Sequence, residues 1–359
     1  MKILSLFDGI SCARVALERA GIPVEAYYAS EIDKYAMQIS QKNYPDILQI
    51  GDVKNVGGIS GAMRIPNKNF TEIDILIGGS PCQDLSIAKK NRKGLDGERS
   101  GLFWEYVRIL EGVKPKYFIL ENVASMPKEA KDLITKTLGV EPIMINASLV
   151  SAQNRKRLFW TNIPNVTLPE DRGILLKDIL EESVDNKYEV KGCASRTYPR
   201  IPNGEKRIKK IEIRKDEKAN SMTLVTGDSM VRIGQIGKGG QGDRIYSPQG
   251  KSVALSALGG GRGAKTGLYC ISSTQEHATI SDNKSTPLNA AMGMGGGHTP
   301  MITEDFLKVR KLTPIECERL QGLSDNYTAG VSNSQRYKAL GNAFNVDVVA
   351  HILSFIPKD

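Results

Sequence analysis

The sequence predicts an α/β protein in which a parallel sheet, covered by helices on both faces, carries a small β-rich domain inserted near its C-terminal end. Strand-like and helix-like stretches alternate through residues 1–160, as in βαβ units. Short β-like runs between glycine clusters fill residues 187–308, and helical spacing returns after residue 309. We therefore divide the chain into a main domain (1–185), an inserted domain (186–308) and a returning segment (309–359).

The elements of the main domain are predicted from hydrophobic periodicity. Apolar runs indicate strands at KILSLF, VEAYYAS, IDILIGG, YFILENV and ASLVSAQNRKRLFW. Helical spacing indicates helices at SCARVALERAG, SEIDKYAMQISQKNYP and GLFWEYVRILEGV. In the returning segment, LTPIECERLQG begins with a capping box formed by Thr313 and Glu316, and NVDVVAHILSFI is an amphipathic helix.

The inserted segment differs from the rest in composition. It holds 18 of the 35 glycines and a weak Ser-x-x-Leu repeat that begins at Ser221, Ser252 and Ser285. We interpret it as a set of similar hairpins, because its Leu, Ile, Val and Tyr residues need burial that a flexible linker would not provide.

The net charge of +9 is concentrated in this segment. Residues 187–308 contain 19 Lys and Arg against 11 Asp and Glu, whereas the rest of the chain has 30 against 29. A basic excess confined to one segment favours contact with a polyanion such as nucleic acid, with a merely solvated surface as the alternative.

Cysteine usage and hydropathy indicate a cytoplasmic protein. The five cysteines are odd in number and form no CxxC pair, so we expect neither disulfides nor a metal site. No apolar run of about 18 residues predicts a membrane span. The N-terminal MKILSLFDGI is interpreted as a first buried strand rather than a signal peptide.

One glycine and two acidic residues, Gly9, Glu31 and Asp52, predict a nucleoside-binding site. Gly9, in FDGIS, lies between a strand and a helix, where the backbone can approach a ligand. Glu31 follows the next strand and can accept both ribose hydroxyls, while Asp52 is placed to meet an adenine amino group. Each residue alone could be an ordinary solvated acid or turn glycine.

A reactive thiol is predicted at Cys82. The buried strand IDILIGG leads into Ser-Pro-Cys, so Cys82 follows a strand end, where open α/β sheets place their active sites. A nucleophilic cysteine must be ionised by its surroundings or by a base. The alternative, a small buried hydrophobic residue, is less typical of this position.

Two further strands carry candidate polar residues. In YFILENV, Glu121 directly follows the apolar run Tyr-Phe-Ile-Leu near a strand end, where a partly desolvated carboxyl group can hold or donate a proton. Gln153, Arg155 and Arg157 are two apart, so on a strand they would share one face and aim two guanidinium groups into a cleft. An exposed basic edge strand is the alternative.

The order of these motifs resembles the cytosine-C5 DNA methyltransferase family. FDG, GGSPCQDLS, ENV, QNRKR, LTPIECERLQG and YKALGNAFNV follow one another over residues 1–160 and 309–355. The resemblance implies a Rossmann-like sheet domain dependent on S-adenosylmethionine, an inserted target-recognition domain, and a last helix that packs back near the first strand.

The resemblance also implies roles for residues. Cys82 would add to C6 of a cytosine flipped out of the duplex. Glu121 would hold the ring N3 proton and the exocyclic amine, Arg157 would contact the base carbonyl, and Arg155 would order the site. The implied cofactor contacts are Phe7, Gly9, Glu31, Ile32, Asp52, Asn342 and Ala343. Ser11 departs from the family pattern, because a second glycine often stands there.

The implied partner is double-stranded DNA. Segment 83–99 is similar to the family's mobile loop, and residues 237–269 are similar to its recognition regions. The predicted DNA contacts are Gln83, Ser86, Lys89, Arg92, Arg99, Gln241, Arg244, Leu255, Ser256 and Gly259. We expect a monomeric enzyme of the bacterial or phage restriction–modification type, and the sequence leaves open whether it has a cognate endonuclease as a functional partner or acts as an orphan.

Three other functions are compatible with parts of this pattern. An RNA cytosine-C5 methyltransferase would share the scaffold, but the basic inserted domain favours duplex DNA. A nucleotide-dependent dehydrogenase would not need the Pro-Cys, ENV and paired-arginine motifs. Intact Cys82, Glu121 and Arg157 argue against a catalytically dead DNA-binding relative.

Overall fold

The computed structural model describes residues 1–59, 62–64, 70–79, 102–185, 188, 232–235, 244–246, 268–270, 309–310 and 312–357. Its strands are β1 (Lys2–Leu6), β2 (Ala26–Ser30), β3 (Leu48–Gln49), β4 (Gly57–Ile59), β5 (Ala62–Arg64), β6 (Phe70–Glu72), β7 (Ile75–Gly78), β8 (Tyr117–Val123), β9 (Ile143–Asn146), β10 (Lys156–Thr161), β11 (Arg232–Gln235), β12 (Arg244–Tyr246), β13 (Leu268–Cys270) and β14 (Val309–Arg310). Its helices are α1 (Cys12–Arg19), α2 (Lys34–Asn43), α3 (Leu102–Val113), α4 (Lys128–Leu138), α5 (Pro314–Leu320), α6 (Asn333–Asn342) and α7 (Val346–Leu353).

The main sheet has seven strands in the order β3-β2-β1-β7-β8-β10-β9. The five strands from β3 to β8 are parallel, which confirms the predicted βαβ arrangement. Strand β10 is antiparallel to both of its neighbours, so the prediction of a purely parallel sheet is wrong at this edge. The cause is the connection from β9 to β10, which is too short for the crossover that parallel strands require.

Helices cover both faces of this sheet, as predicted. Alternate strand residues point to opposite faces, so Ile3 and Leu4 belong to two different core clusters. The cluster around Ile3 includes apolar residues of α1 and α7, and the cluster around Leu4 includes those of α3 and α4.

The returning segment closes against the N-terminal part of the chain. The capping box predicted at α5 is confirmed, because the Glu316 backbone N–H donates to Thr313 Oγ1 and the Thr313 N–H donates to Glu316 Oε2 at 2.8 Å. Helix α7 packs on α1, and Arg19 pairs with Asp347 at 2.8 Å between them. Residues far apart in the chain therefore meet beside β1.

The segment predicted as one long strand, ASLVSAQNRKRLFW, is divided. It starts with a 3-10 helix at Ala147–Leu149, and the strand begins only at Lys156. The Asn146 side chain accounts for the break, because its oxygen accepts from the backbone N–H groups of both Ser148 (3.2 Å) and Arg155 (2.9 Å). Gln153 and Arg155 therefore do not share a strand face with Arg157, contrary to the prediction.

Four short strands, β11 to β14, form a second sheet in that order, and β4 to β6 form a three-stranded antiparallel one. Strand β12 is parallel to β13, while the other two pairs of the second sheet are antiparallel. Within the part of the chain that the structure describes, no helix is long and apolar enough to cross a bilayer.

Candidate active site

The loop after β1 has an unusual backbone. Phe7, Gly9 and Ser11 all have positive φ angles, of 56°, 62° and 60°. The left-handed conformation is strained for residues other than glycine, so the backbone at Ser11 favours glycine, the residue that the resemblance implies there. Around the position that a Cβ on Gly9 would occupy, the space is open to 4 Å. The loop thus offers exposed backbone to a ligand.

Asp8 holds this loop from its buried side, although no pattern in the sequence indicated this residue. Its side chain, in a residue only 6% exposed, accepts hydrogen bonds from the hydroxyls of Tyr27 (2.6 Å) and Ser11 (2.5 Å). Burial raises the pKa of Asp8, although hydrogen bonds from Ser11 and Tyr27 act in the opposite direction. The hydrogen bond from Ser11 to Asp8 offsets part of the energetic cost of the positive φ at Ser11.

Glu31 joins the ends of β1 and β2. One carboxylate oxygen accepts from the Gly9 N–H at 2.8 Å, and the other accepts from the N–H groups of Ile32 (2.7 Å) and Asp33 (2.8 Å). Ile32, at 73% the most exposed large apolar residue in the described part of the chain, directly follows Glu31 and provides an apolar surface for a planar ring. The structure therefore brings Gly9, Glu31 and Ile32 together.

The remaining predicted cofactor contacts lie on neighbouring segments. Asp52 follows β3 and caps the 3-10 helix Val53–Asn55, accepting from the Lys54 N–H. Asn342, at the end of α6, is exposed, whereas the following Ala343 is buried. The open space at Gly9, the exposed Ile32 and the acceptors at Glu31 and Asp52 fit a nucleoside-containing cofactor.

Glu121 and Arg157 form an ion pair at the end of β8. The Arg157 Nε lies 2.7 Å from Glu121 Oε1, and the two side chains are 17% and 13% exposed. Their backbones are close because β8 and β10 pair with Arg157 opposite Val123 and Phe159 opposite Glu121. This antiparallel register brings a carboxylate and a guanidinium to one point.

Arg155 contacts the protein's own backbone. Its guanidinium donates from Nη2 to the carbonyl oxygens of Ala343 (3.0 Å) and Gly341 (3.4 Å), and the residue is only 4% exposed. It therefore fixes the segment between α6 and α7, in keeping with the ordering role expected from the resemblance.

A small cavity of about 10 Å³ lies between these groups, close to the least space that holds a water molecule. Its polar lining comes from Glu121, Arg155, Arg157 and Asn345, and Phe159 and Phe344 are among its apolar walls. Phe344 was not predicted; its signal in the sequence was only its place within the motif GNAFNV.

Several predicted site residues lie outside the described residues. These are Cys82 and the DNA contacts Gln83, Ser86, Lys89, Arg92, Arg99, Gln241, Leu255, Ser256 and Gly259. Arg244 lies in β12, where only the backbone is described. The nearest described residue before Cys82 is Gly79, directly after β7, and β7 lies between β1 and β8 in the sheet. The end of β7 is thus flanked by the loop after β1 and by Glu121.

Comparison with known families gives a match to the sequence model for C-5 cytosine-specific DNA methylases over residues 1–358. The chain belongs to this family. C-5 cytosine-specific DNA methylases are enzymes that methylate cytosine in DNA and use S-adenosylmethionine. The resemblance found in the sequence is therefore confirmed at the level of the family.

Among curated members of the C-5 cytosine-specific DNA methylase family, the type II methyltransferase M.HhaI of Haemophilus parahaemolyticus is 29% identical, over 98% of this chain and 93% of its own. The orphan methyltransferase M.SPRI of Bacillus phage SPR is 26% identical, over 98% of this chain and 96% of its own.

Solved structures confirm the fold. The Entamoeba histolytica methyltransferase EhMeth aligns with a TM-score of 0.61 at 16% identity, covering 99% of this chain and 97% of its own. The S. pombe Dnmt2 methyltransferase aligns with a TM-score of 0.59, also at 16% identity and with the same coverage. At this identity the likeness concerns the Rossmann-like methyltransferase fold alone.

Proposed function

We propose that this chain transfers a methyl group from S-adenosylmethionine to C5 of a cytosine in duplex DNA, with Cys82 as a transient covalent nucleophile. The observation that carries the proposal is the Glu121–Arg157 ion pair beside the end of β7, the strand that leads to Pro81 and Cys82. Family membership supports the reaction class.

The chemistry that these residues would perform follows from the poor nucleophilicity of cytosine C5. Addition of the Cys82 thiolate to C6 breaks the C5–C6 double bond and moves an electron pair towards C5 and the ring N3. Glu121 would stabilise this adduct by holding a proton at N3, and Arg157 would donate to the base carbonyl. Removal of the C5 proton after methylation restores the double bond and expels Cys82.

S-adenosylmethionine, when bound, supplies an electrophilic methyl group. Its nucleoside part would be held at the ends of β1 to β3, with Glu31 and Asp52 as hydrogen-bond acceptors and Ile32 against the adenine. Phe7, Gly9, Asn342 and Ala343 would complete this site. Asp8 would act only through the loop that it holds.

The inserted domain, residues 186–308, would read the target sequence. Its basic excess supports contact with DNA phosphates, which does not depend on the base sequence. Gln241 and Arg244 would approach the base edges, where the sequence is read. Both a type II enzyme and an orphan enzyme are among the relatives, so a partner endonuclease is not required for this reaction.

The test is transfer of labelled methyl groups from S-adenosylmethionine to duplex DNA and, in parallel, to tRNA. We expect labelling of DNA, loss of labelling in Cys82→Ser, and retained DNA binding by that variant, since the basic domain is unchanged. DNA containing 5-fluorocytosine should form a stable conjugate at Cys82, because a C5 fluorine cannot leave as a proton does. Labelling of tRNA alone, or a conjugate that mass spectrometry maps to another residue, would contradict the proposal.

A further inference from the structure

Phe344 and Gly79 meet at a point beside the catalytic carboxylate. A Cβ built on Gly79 would lie 2.7 Å from Phe344 Cε1, 3.3 Å from Phe344 Cζ and 3.2 Å from Glu121 Oε2. The first distance is shorter than real Cβ contacts, so no side chain fits at Gly79 while the ring stays in place. The ring is packed against the backbone itself.

The backbone that carries the Phe344 ring is held by hydrogen bonds on both sides. The Arg155 guanidinium holds the carbonyl of the preceding Ala343, and the Gln321 side chain donates to that of Leu340 at 2.6 Å. On the other side, Asn345 caps α7 by accepting from the Val348 N–H (3.1 Å) and donates to the Leu320 carbonyl (3.0 Å).

These contacts fix the segment that carries Phe344 relative to the segment that carries Gly79. Phe344 directly follows the proposed cofactor contacts Asn342 and Ala343, and Gly79 precedes the proposed nucleophile by three residues. The ring is 8% exposed and lines the same cavity as Glu121 and Arg157. A displacement of the ring would therefore move Gly79, the last described residue before Cys82, the Glu121 carboxylate, or both.

We propose that Phe344 is a positioning residue, whose ring packs against Gly79 and sets the distance between the segment leading to Cys82 and the Glu121 carboxylate. The inference rests on the proposed function and adds to it a residue outside the chemical step. It makes Gly79 and Phe344 a sterically matched pair, so that enlarging one and reducing the other should compensate.

The test is a two-residue cycle with Gly79→Ala, Phe344→Leu and the double variant, each measured for kcat at saturating cofactor and DNA. Gly79→Ala should lower kcat by about 10²-fold, as expected for a misplacement near 1 Å. Phe344→Leu should lower it by about tenfold, and the double variant should regain about tenfold over Gly79→Ala. The rate of conjugate formation with 5-fluorocytosine DNA should follow the same order.

Phe355→Leu is the matched control, because Phe355 packs on His351 at the end of α7, away from this contact. It should keep kcat within about twofold, and its melting temperature is compared directly with that of Phe344→Leu. This comparison separates positioning from stability, and it holds even if Gly79→Ala does not fold.

Full activity of Gly79→Ala, simple multiplication of the two losses in the double variant, or equal kcat in Phe344→Leu and Phe355→Leu would each overturn the inference. Those results leave the proposed function intact when the wild-type chain methylates DNA. A wild-type chain that methylates no nucleic acid refutes the proposed function and this inference with it.

Discussion

Glu121→Gln tests the ion pair at the centre of the site with almost no change in shape. At 2.7 Å and an effective dielectric constant of about 20, the gross attraction between the two charges is about 6 kcal/mol. Desolvation offsets much of this attraction, but removing one partner of a buried pair still costs about 3–5 kcal/mol, because the other charge is left buried and unpaired. Since both side chains retain some exposure and glutamine still offers an oxygen to Arg157, we expect about 1–3 kcal/mol of lost stability.

The effect on the reaction should be larger than this loss of stability suggests. Glutamine cannot hold and release a proton at the base, so kcat should fall by at least about 10²-fold. The assay is transfer of labelled methyl groups to DNA at saturating cofactor, together with thermal unfolding of the same samples.

Glu105→Gln is the matched control, because Glu105 pairs with Arg108 at 2.6 Å on the exposed face of α3. An exposed pair of this kind contributes under about 1 kcal/mol, and its loss should leave kcat within about twofold of the wild-type value. A Glu121→Gln variant that retains more than a third of wild-type turnover would remove Glu121 from the proton-handling role. So would an equal loss of turnover in the control.

Three further predictions concern the loop after β1 and the DNA contact. Because burial raises the pKa of Asp8, the folded state keeps a proton that the unfolded chain releases. The resulting stabilisation is complete below about pH 3.8 and is lost as the pH rises through the folded-state pKa of Asp8. Asp8→Asn should therefore flatten the dependence of stability on pH, measured by thermal unfolding at a series of pH values. Ser11→Ala should destabilise the protein by about 2 kcal/mol, because alanine keeps the strained φ and loses the hydrogen bond to Asp8. Ser11→Gly should cost less, because glycine relieves the strain. The reverse order of melting temperatures would contradict the role given to the hydrogen bond. DNA binding should weaken steeply with salt, with a log–log slope of about −0.9 per phosphate neutralised, and a flat response would contradict phosphate contact by residues 187–308.

The parts of the site that the sequence predicted are those that depend on strand ends. Gly9, Glu31 and Glu121 each follow or end an apolar run, and parallel strands bring such ends to one edge of the sheet. The residues that were missed depend on contacts between distant segments. Asp8 is defined by its bonds to Tyr27 and Ser11, and no periodicity indicates these.

The region around Arg155 shows why the rest could not be predicted from local pattern. The spacing of Gln153, Arg155 and Arg157 is that of a strand, but the hydrogen bonds of the Asn146 side chain keep strand β10 from beginning before Lys156. Arg155 then contacts Ala343, 188 positions away, while Arg157 remains on the strand and meets Glu121. Two arginines two positions apart thus make different contacts: Arg155 binds the backbone next to Phe344, and Arg157 pairs with the Glu121 carboxylate. Phe344 consequently joins the site only when the returning segment has packed against the main sheet, and substitutions at Arg155 should impair the reaction through Phe344 rather than through the base.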